Sequence, residues 1–298
     1  MMRIPVKRSK INTGVLFIFP AILVVAFVMY FPLIYNLVLS FFDKNIYAMK
    51  NFKFSGFDKY VELFTNDAFY NTLRITLTWT AISVFFQFSI GFVFGLVMSQ
   101  DFIRFKTIIR ILIMLAWVVP SIISSNIFKW MYHADFGLFN YLAMQLGLIS
   151  EPQSWTTSPK FALMSAIIVN VWKMFPLVLL YIEASMQSVP RELKDAAVVD
   201  GANGFRTFLT VTLPHISITC KTVLLLLVIW TMNAFTFIFV LTGGGPARST
   251  ETLAVFIYRE AFINYEYSMA AATGTIMFLF VAILSTVYSK YALSGDQT

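Results

Sequence analysis

Apolar residues fall in six long runs that are separated by shorter polar connections. The runs lie at about residues 14–42, 72–99, 107–131, 160–186, 217–242 and 268–291. In helical form, about 20 apolar residues cross the ~30 Å hydrocarbon core of a bilayer. The pattern therefore predicts an all-α integral membrane protein with six transmembrane helices. We expect one membrane domain over 14–298, preceded by a short tail at 1–13.

Composition supports the membrane class. Of the 298 residues, 58% are hydrophobic and 12% are charged, whereas soluble domains carry roughly 25% charged residues. A basic start before the first run resembles a signal peptide, but that run is far longer than the ~7–15 apolar residues of a signal peptide. We therefore expect a retained first span. The net charge is +7. A nucleic-acid partner would require a soluble domain with a basic cluster and aromatic residues, and the sequence contains no such domain.

Basic residues in the connections indicate the orientation. Total numbers of Lys and Arg on the two sides are similar, but the N-terminal tail and the connection "SQDFIRFKTIIR" at 99–110 place them close against the spans. Such residues favour the cytoplasmic side. We therefore expect both termini and a polar loop at about 188–216 in the cytoplasm. The loop at about 243–267 is then extracytoplasmic.

The second of these loops begins with "GGGPARST" at 243–250. It lacks the Lys-Ser/Thr that completes a phosphate-binding loop, so a tight turn after a span is the better interpretation. Next comes "ETLAVFIYREAF", which predicts a short amphipathic helix with Ser249 or Thr250 as its N-cap and Arg259 near its end.

No catalytic or metal-binding constellation is evident. The two histidines, His133 and His215, lie in loops that the predicted topology places on opposite sides of the membrane. Lys173 lies inside a predicted span, and ionisable residues there are functional candidates because burying them in lipid is costly. It could face a polar cavity together with Asn170 and Trp172. Alternatively, it snorkels or pairs with a carboxylate for packing alone. Glu183 is a poor partner within the span, because ten residues of helix separate the two by ~15 Å.

A second candidate face lies on the fifth span. Trp230, Asn233 and Phe237 are spaced at i, i+3 and i+7, and Thr236 is adjacent. An aromatic and amide face suits a sugar, whose C–H faces stack on rings while its hydroxyls bond to amides. The alternative is that Asn233 bonds to a neighbouring helix and Trp230 only packs.

The polar loop contains "ELKDAAVVDGANGFRTFLTVTLP" at 192–214. It predicts an amphipathic helix up to Gly201, a break there and at Asn203–Gly204, and a second helix over 205–213 that ends before Pro214. The first helix has a small apolar face, which permits close approach of a partner. Its acidic residues suit an anionic bilayer surface poorly, so a docked protein is favoured over a plain loop lying on the membrane.

This segment resembles the EAA motif of ABC importer permeases, which reads E-A-A, three residues, G, nine residues, I-x-L-P. The triplet corresponds to Asp195, Ala196 and Ala197, and Gly201 has the same spacing. The motif closes at 211–214, with valine in place of isoleucine and aspartate in place of the first glutamate. Both departures preserve charge or shape.

Three further stretches, "PAILVVAFVMYFPLIYNLVLSFFD", "SMQSVPRELKDAA" and "LTGGGPARSTETLAVFIYREAF", resemble the maltose- and glycerol-phosphate-type permeases of the carbohydrate branch. The resemblance implies a type I ABC importer fold in a bacterial or archaeal plasma membrane, and a transport subunit that is not an enzyme. It implies a second homologous permease, two ATPase subunits that bind ATP and Mg, and an extracytoplasmic solute-binding protein. No cofactor is expected on this chain. The alternatives are an importer of glycerol phosphate, a polyamine or an amino acid, and a membrane-embedded transferase.

The resemblance also implies residue roles. The motif would form the helix that docks on the ATPase, with a polar contact from Asp195 and a sharp turn at Gly201. The residues implied in this coupling are Glu192, Asp195, Ala196, Ala197, Asp200, Gly201, Phe205, Leu213 and Pro214. The candidates for the substrate path are Asn170, Trp172, Lys173, Trp230, Asn233, Thr236 and Phe237.

Overall fold

The structure is a computed structural model that describes residues 13–43 and 53–290, with side chains from residue 17 onward. The first part comprises α1 (Thr13–Val25), a π-helical turn (Ala26–Tyr30), α2 (Phe31–Leu39), β1 (Phe42–Asp43), β2 (Lys53–Phe54), α3 (Asp58–Phe64), α4 (Asp67–Met98), α5 (Lys106–Val118), α6 (Ser121–Met131) and α7 (Leu138–Gln145). The second part comprises α8 (Ala162–Gln187), α9 (Arg191–Val199), α10 (Gly204–Thr207), a π-helical turn (Phe208–Thr212), α11 (Leu213–Met232), α12 (Thr236–Thr242), α13 (Leu253–Tyr258), a π-helical turn (Arg259–Ile263) and α14 (Tyr267–Tyr288). Strands β1 and β2 pair antiparallel. The predicted tail, apart from residue 13, and the chain end lie outside the described residues.

Five helices in the described ranges are long and apolar enough to cross a membrane, and a bent pair, α5 and α6, makes up to six. The all-helical membrane fold is therefore confirmed. The first span, which comprises α1, the π-helical turn and α2, lies at the edge of the bundle, since no residue in its most apolar stretch is buried. Its Asn36 side chain donates to the Ala271 carbonyl (3.3 Å) and the Thr275 hydroxyl (3.4 Å) on α14.

The closest packing joins α4 and α8, which cross near Gly91 and Gly95. A Cβ on Gly91 would lie 2.4 Å from Val178 Cβ and 2.6 Å from the Phe175 carbonyl oxygen. A Cβ on Gly95 would lie 2.7 Å from Ile182 Cβ. Small residues four apart allow backbones to approach in this way in membranes. The two glycines thus set the distance between the two central spans.

Polar side chains link the central spans as well. The Trp79 indole on α4 donates to the Thr231 carbonyl on α11 at 2.9 Å. The Thr231 hydroxyl donates to Gln87 Oε1 at 3.4 Å, and Gln87 Nε2 donates to the Asn170 carbonyl on α8 at 3.5 Å. These groups have no water to bond to in the bilayer, so their mutual bonds stabilise the helix contacts.

The prediction of one continuous helix for the third span, 107–131, is wrong. Helix α5 ends at Val118 and α6 begins at Ser121, and the two are bent by 93°. Pro120 has no N–H to donate, and it disfavours helical geometry at the residue before it. Val119 accordingly adopts ψ 129°.

The fifth predicted span, 217–242, is also interrupted. Helix α11 ends at Met232 and α12 begins at Thr236. At the break, the Asn233 side chain donates to the Ile229 carbonyl at 2.7 Å, a local bond that competes with helix continuation. The predicted start is wrong as well, because α10, the π-helical turn and α11 form one helix that continues through Pro214. Pro214 lies in the first turn of α11, where its missing N–H is tolerated.

The predicted helix after the "GGGP" turn exists but begins later than expected. Its N-cap is Thr252 rather than Ser249 or Thr250. The Thr250 hydroxyl instead donates to the Gly245 carbonyl at 2.8 Å. That bond closes the turn on itself, and the N-cap lies two residues further along the chain.

Candidate functional site

The segment that follows α8 has the predicted helix, glycine break and helix. Helix α9 ends in a Schellman motif, in which Ala202 N–H donates to the Ala197 carbonyl (2.9 Å) and Gly201 N–H donates to the Val198 carbonyl (3.0 Å). Gly201 has φ +80°, which only glycine adopts without strain. Asn203 Oδ1 then accepts from Arg206 N–H at 2.9 Å and caps α10.

This segment exposes large apolar side chains. Val199 is 87% exposed and Phe205 is 72% exposed. We call the exposed group the apolar end surface, which consists of Leu193, Val198, Val199, Phe205 and Leu209. Helix α9 has no buried residue. Exposed apolar side chains of this kind suit a contact with another protein or with lipid.

The remaining residues with an implied coupling role lie in the same segment of the chain, 192–214. Glu192, Asp195 and Asp200 are exposed carboxylates. Ala196 is exposed, Ala197 and Leu213 are half-buried, and Pro214 is exposed. The coupling role of all these residues stays a prediction.

Lys173 is buried, with 6% of its surface exposed, and caps the end of a neighbouring helix. Its ammonium donates to the carbonyls of Ala116 (3.4 Å), Trp117 (2.9 Å) and Val119. An ammonium has three donors, so all of them have partners. The carbonyls belong to the C-terminal end of α5, where a positive charge is favourable. Lys173 therefore holds the bend between α5 and α6.

The structure does not bring Lys173 together with its two predicted neighbours in one cavity. Asn170 is buried between the central spans. Trp172 is half exposed and lines a cavity of about 390 Å³ between α4 and α8, whose other lining residues are all aliphatic, Met or Phe. Whether any of the three lines a substrate path stays a prediction.

The predicted aromatic and amide face of the fifth span depended on one continuous helix, and the break at 233–235 divides it. Trp230 and Asn233 are exposed, whereas Thr236 is half-buried and Phe237 is buried. The four residues therefore do not form one helical face. Trp230 and Asn233 remain together at the exposed end of α11.

We expect Lys173→Met to loosen the α5–α6 bend, because it leaves three carbonyls at the end of α5 without a donor. Each buried unpaired group costs about 1–3 kcal/mol, so the midpoint of thermal unfolding in detergent should fall. Lys173→Arg, which retains charge and donors, serves as the matched variant and should lose less. Equal midpoints for Lys173→Met and the wild type would contradict the capping role.

The turn between α12 and α13 contains a fully buried carboxylate that the sequence analysis missed. Glu251 Oε1 lies 2.9 Å from Arg259 Nε, and Glu251 Oε2 lies 3.5 Å from Arg248 Nε. Burial raises the pKa of Glu251, while the two guanidinium groups favour its charged form. The Leu253 N–H donates to Thr76 Oγ1 on α4 at 2.8 Å. The ion pairs hold the turn together, and the bond to Thr76 joins it to the bundle.

Sequence reasoning also missed the Gly91–Gly95 pair, although its G-x-x-x-G spacing within an apolar run was a readable signal. Glu251 gave no comparable signal, since its partners follow no recognisable motif. Within the described residues, no group of three or more His, Cys, Asp or Glu side chains could hold a metal ion.

Comparison with known proteins gives consistent matches. The family model described as binding-protein-dependent transport system inner membrane component matches residues 88–292. The chain is 29% identical over 285 residues to the diacetylchitobiose uptake system permease of Streptomyces coelicolor, covering 95% of this chain and 87% of that protein. It is 28% identical over 284 residues to the trehalose/maltose transport system permease of Thermococcus litoralis, covering 95% of both.

A similar fold occurs in a solved structure. One chain in the crystal structure of a bacterial alginate ABC transporter, in complex with an alginate pentasaccharide-bound periplasmic protein, matches with a TM-score of 0.82. The match covers 96% of both chains at 20% sequence identity, so it concerns the fold.

Proposed function

Because this chain belongs to the family of binding-protein-dependent transport system inner membrane components, we propose that it pairs with a second permease to form the path of an ATP-driven sugar importer. The chain is a multi-pass permease subunit of an ABC transporter in the plasma membrane. In the proposed assembly, a solute-binding protein delivers the sugar from outside. Two ATPase subunits, which bind ATP and Mg, supply the energy.

The apolar end surface carries the proposal. Three of its side chains lie on α9, a short helix that leaves the membrane bundle after α8 and ends before the positive-φ Gly201, and Phe205 and Leu209 follow in the next helix. A helix this short gains little stability of its own in water, so its exposed Val199, together with Phe205 on α10, suits a protein partner. That partner is the ATPase. Closure of the ATPase subunits on ATP would push α9 and, through the continuous helix from Gly204 to Met232, move the spans as a rigid body.

Sugar as the substrate class is supported by the relatives. Two of them are permeases for diacetylchitobiose and for trehalose or maltose. Within this chain, Trp230 and Asn233 offer an exposed ring and an exposed amide three positions apart at the end of α11. An aromatic ring packs on the C–H face of a sugar, and the amide bonds to its hydroxyls.

The test is a ligand panel on the reconstituted importer. Proteoliposomes that contain both permeases, the ATPases and the solute-binding protein would be supplied with maltose, trehalose and diacetylchitobiose, and separately with glycerol phosphate, spermidine and an amino acid. We expect a sugar to stimulate ATP hydrolysis and to accumulate inside the vesicles, while the other compounds do neither.

Two results would contradict this proposal. Stimulation by glycerol phosphate, spermidine or the amino acid alone would indicate an importer of the same architecture for a non-sugar solute. Chemical turnover of a sugar by the purified chain, in the absence of the ATPases, would indicate a membrane-embedded transferase instead.

A further inference from the structure

A polar cavity of about 400 Å³ opens where α4 and α8 end. One wall is the connection after α4, with Ser99, Gln100 and Asp101. The other wall is formed by the end of α8 and the start of α9, and includes Val189, Arg191 and Lys194. Val189 is buried and joins the cavity wall to the core. The cavity therefore lies between the membrane spans and the base of the helix that carries the apolar end surface.

Two unpaired positive charges dominate this cavity. Arg191 and Lys194 are three residues apart in α9, and side chains at this spacing are neighbours on a helix surface. Across the described ranges neither side chain forms an ion pair, and neither does Asp101. The cavity thus has two cations against one carboxylate. Guanidinium and ammonium groups side by side suit an anion with several oxygens, such as a phosphate.

The depth of the cavity in the bilayer identifies the source of such a phosphate. Helix α4 has 32 residues and α8 has 26 residues. At 1.5 Å per residue they are about 48 Å and about 39 Å long. Both exceed the ~30 Å hydrocarbon core, so their ends reach the level of the lipid headgroups. A cavity at these ends would lie at the depth of the lipid phosphates.

We propose that this cavity binds the phosphate of an anionic phospholipid, with Arg191 and Lys194 as its ligands. The Gln100 and Gln187 side chains, which also line the cavity, can donate to the remaining oxygens. A bound headgroup would join the first turn of α9 to the ends of α4 and α8. This site is separate from the substrate path, and its occupation does not depend on which solute is carried.

The test compares two pairs of charge-removing substitutions in the full-length chain. The protein would be placed in nanodiscs of phosphatidylcholine with added phosphatidylglycerol, and the retained phosphatidylglycerol counted by native mass spectrometry. Arg191→Gln with Lys194→Gln should weaken its binding roughly tenfold or more, at about 1 kcal/mol for each cation. Arg104→Gln with Lys106→Gln removes the same charge from the neighbouring connection, outside the cavity, and should retain the lipid.

Further arms make the outcome decisive. Arg191→Lys with Lys194→Arg preserves the charge and should retain the lipid, and loss of the lipid there would overturn the proposal. Equal lipid loss from the two charge-removing pairs would indicate diffuse attraction to the membrane and would also overturn it. Displacement of the lipid by millimolar inorganic phosphate would indicate that the cavity binds free phosphate, and it would overturn the assignment to a lipid. If Arg191→Gln with Lys194→Gln leaves lipid retention unchanged but weakens binding of the purified ATPase, the cavity belongs to the ATPase contact and the lipid proposal is overturned.

Discussion

Gly201→Arg should abolish uptake while the chain still inserts and the ATPase subunits still hydrolyse ATP. No atom lies within 4 Å of a Cβ placed on Gly201, so the arginine does not clash within this chain. At φ +80° it costs only about 1–2 kcal/mol of backbone strain. Its long charged side chain would project from the turn beside the apolar end surface and prevent α9 from fitting against the ATPase. Uptake and ATP hydrolysis would be measured in the same proteoliposomes.

Gly147→Arg is the matched control for this substitution. Gly147 also has a positive φ, +66°, and no atom within 4 Å of its Cβ position, but it lies in the loop after α7. The control carries the same new side chain and comparable strain, and we expect it to retain uptake. If both variants lose uptake, backbone strain rather than lost docking is the cause. Normal uptake by Gly201→Arg would refute the docking role of α9.

Gly91→Ala should destabilise the whole bundle, although alanine favours helices. In a free helix this change stabilises by about 1 kcal/mol. Here the new methyl group would lie 2.6 Å from the Phe175 carbonyl oxygen, a backbone atom that cannot rotate away. Helices α4 and α8 must then separate, at a cost of about 1–3 kcal/mol for overpacking. The thermal unfolding midpoint in detergent and the recovery of monodisperse protein would both fall.

Gly274→Ala makes the same exchange in another span and separates packing from helix propensity. The nearest atom to its Cβ position is Asn36 Nδ2 at 3.6 Å, which is an ordinary contact distance. Its unfolding midpoint should therefore equal or exceed that of the wild type. If Gly91→Ala behaves like Gly274→Ala, the two central spans are not in close contact at Gly91.

The parts of the fold that follow from local chemistry could be predicted from the sequence. The apolar runs locate the spans, because a helix in lipid must be apolar over the thickness of the bilayer whatever it packs against. Helix α9 and its end were also predictable, since the glycine at 201 and the cap at Asn203 act through hydrogen bonds to residues within five positions.

The breaks in the spans were only partly predictable. Pro120 was a readable signal for the bend between α5 and α6, because proline disfavours helix at the residue before it. Asn233 was not, since asparagine also occurs inside membrane helices, where it bonds to other helices. Just before the break, the Thr231 carbonyl on α11 accepts from the Trp79 indole on α4, a contact between residues that are far apart in the chain.

The partners of buried charges could not be predicted at all. Lys173 bonds to carbonyls that lie 54–57 positions away in the chain. Every residue has a backbone carbonyl, so residue type does not show which carbonyls become its partners. The same holds for Glu183, which lies beside Arg110 on α5 and accepts from its Nε at 3.0 Å. For the same reason, residue type within the spans does not show which of the substrate-path candidates lie together.

The helix over α1 and α2 has a consequence for how the family can diversify. Its hydrogen bonds from Asn36 to α14 lie near its end, while its most apolar window buries nothing within this chain. Apolar substitutions along that window, away from the residues of α2 that face α14, change no buried side chain of this chain. We therefore expect this helix to drift faster during evolution than α4 or α8, and new N-terminal segments to be acquired there without refolding the rest.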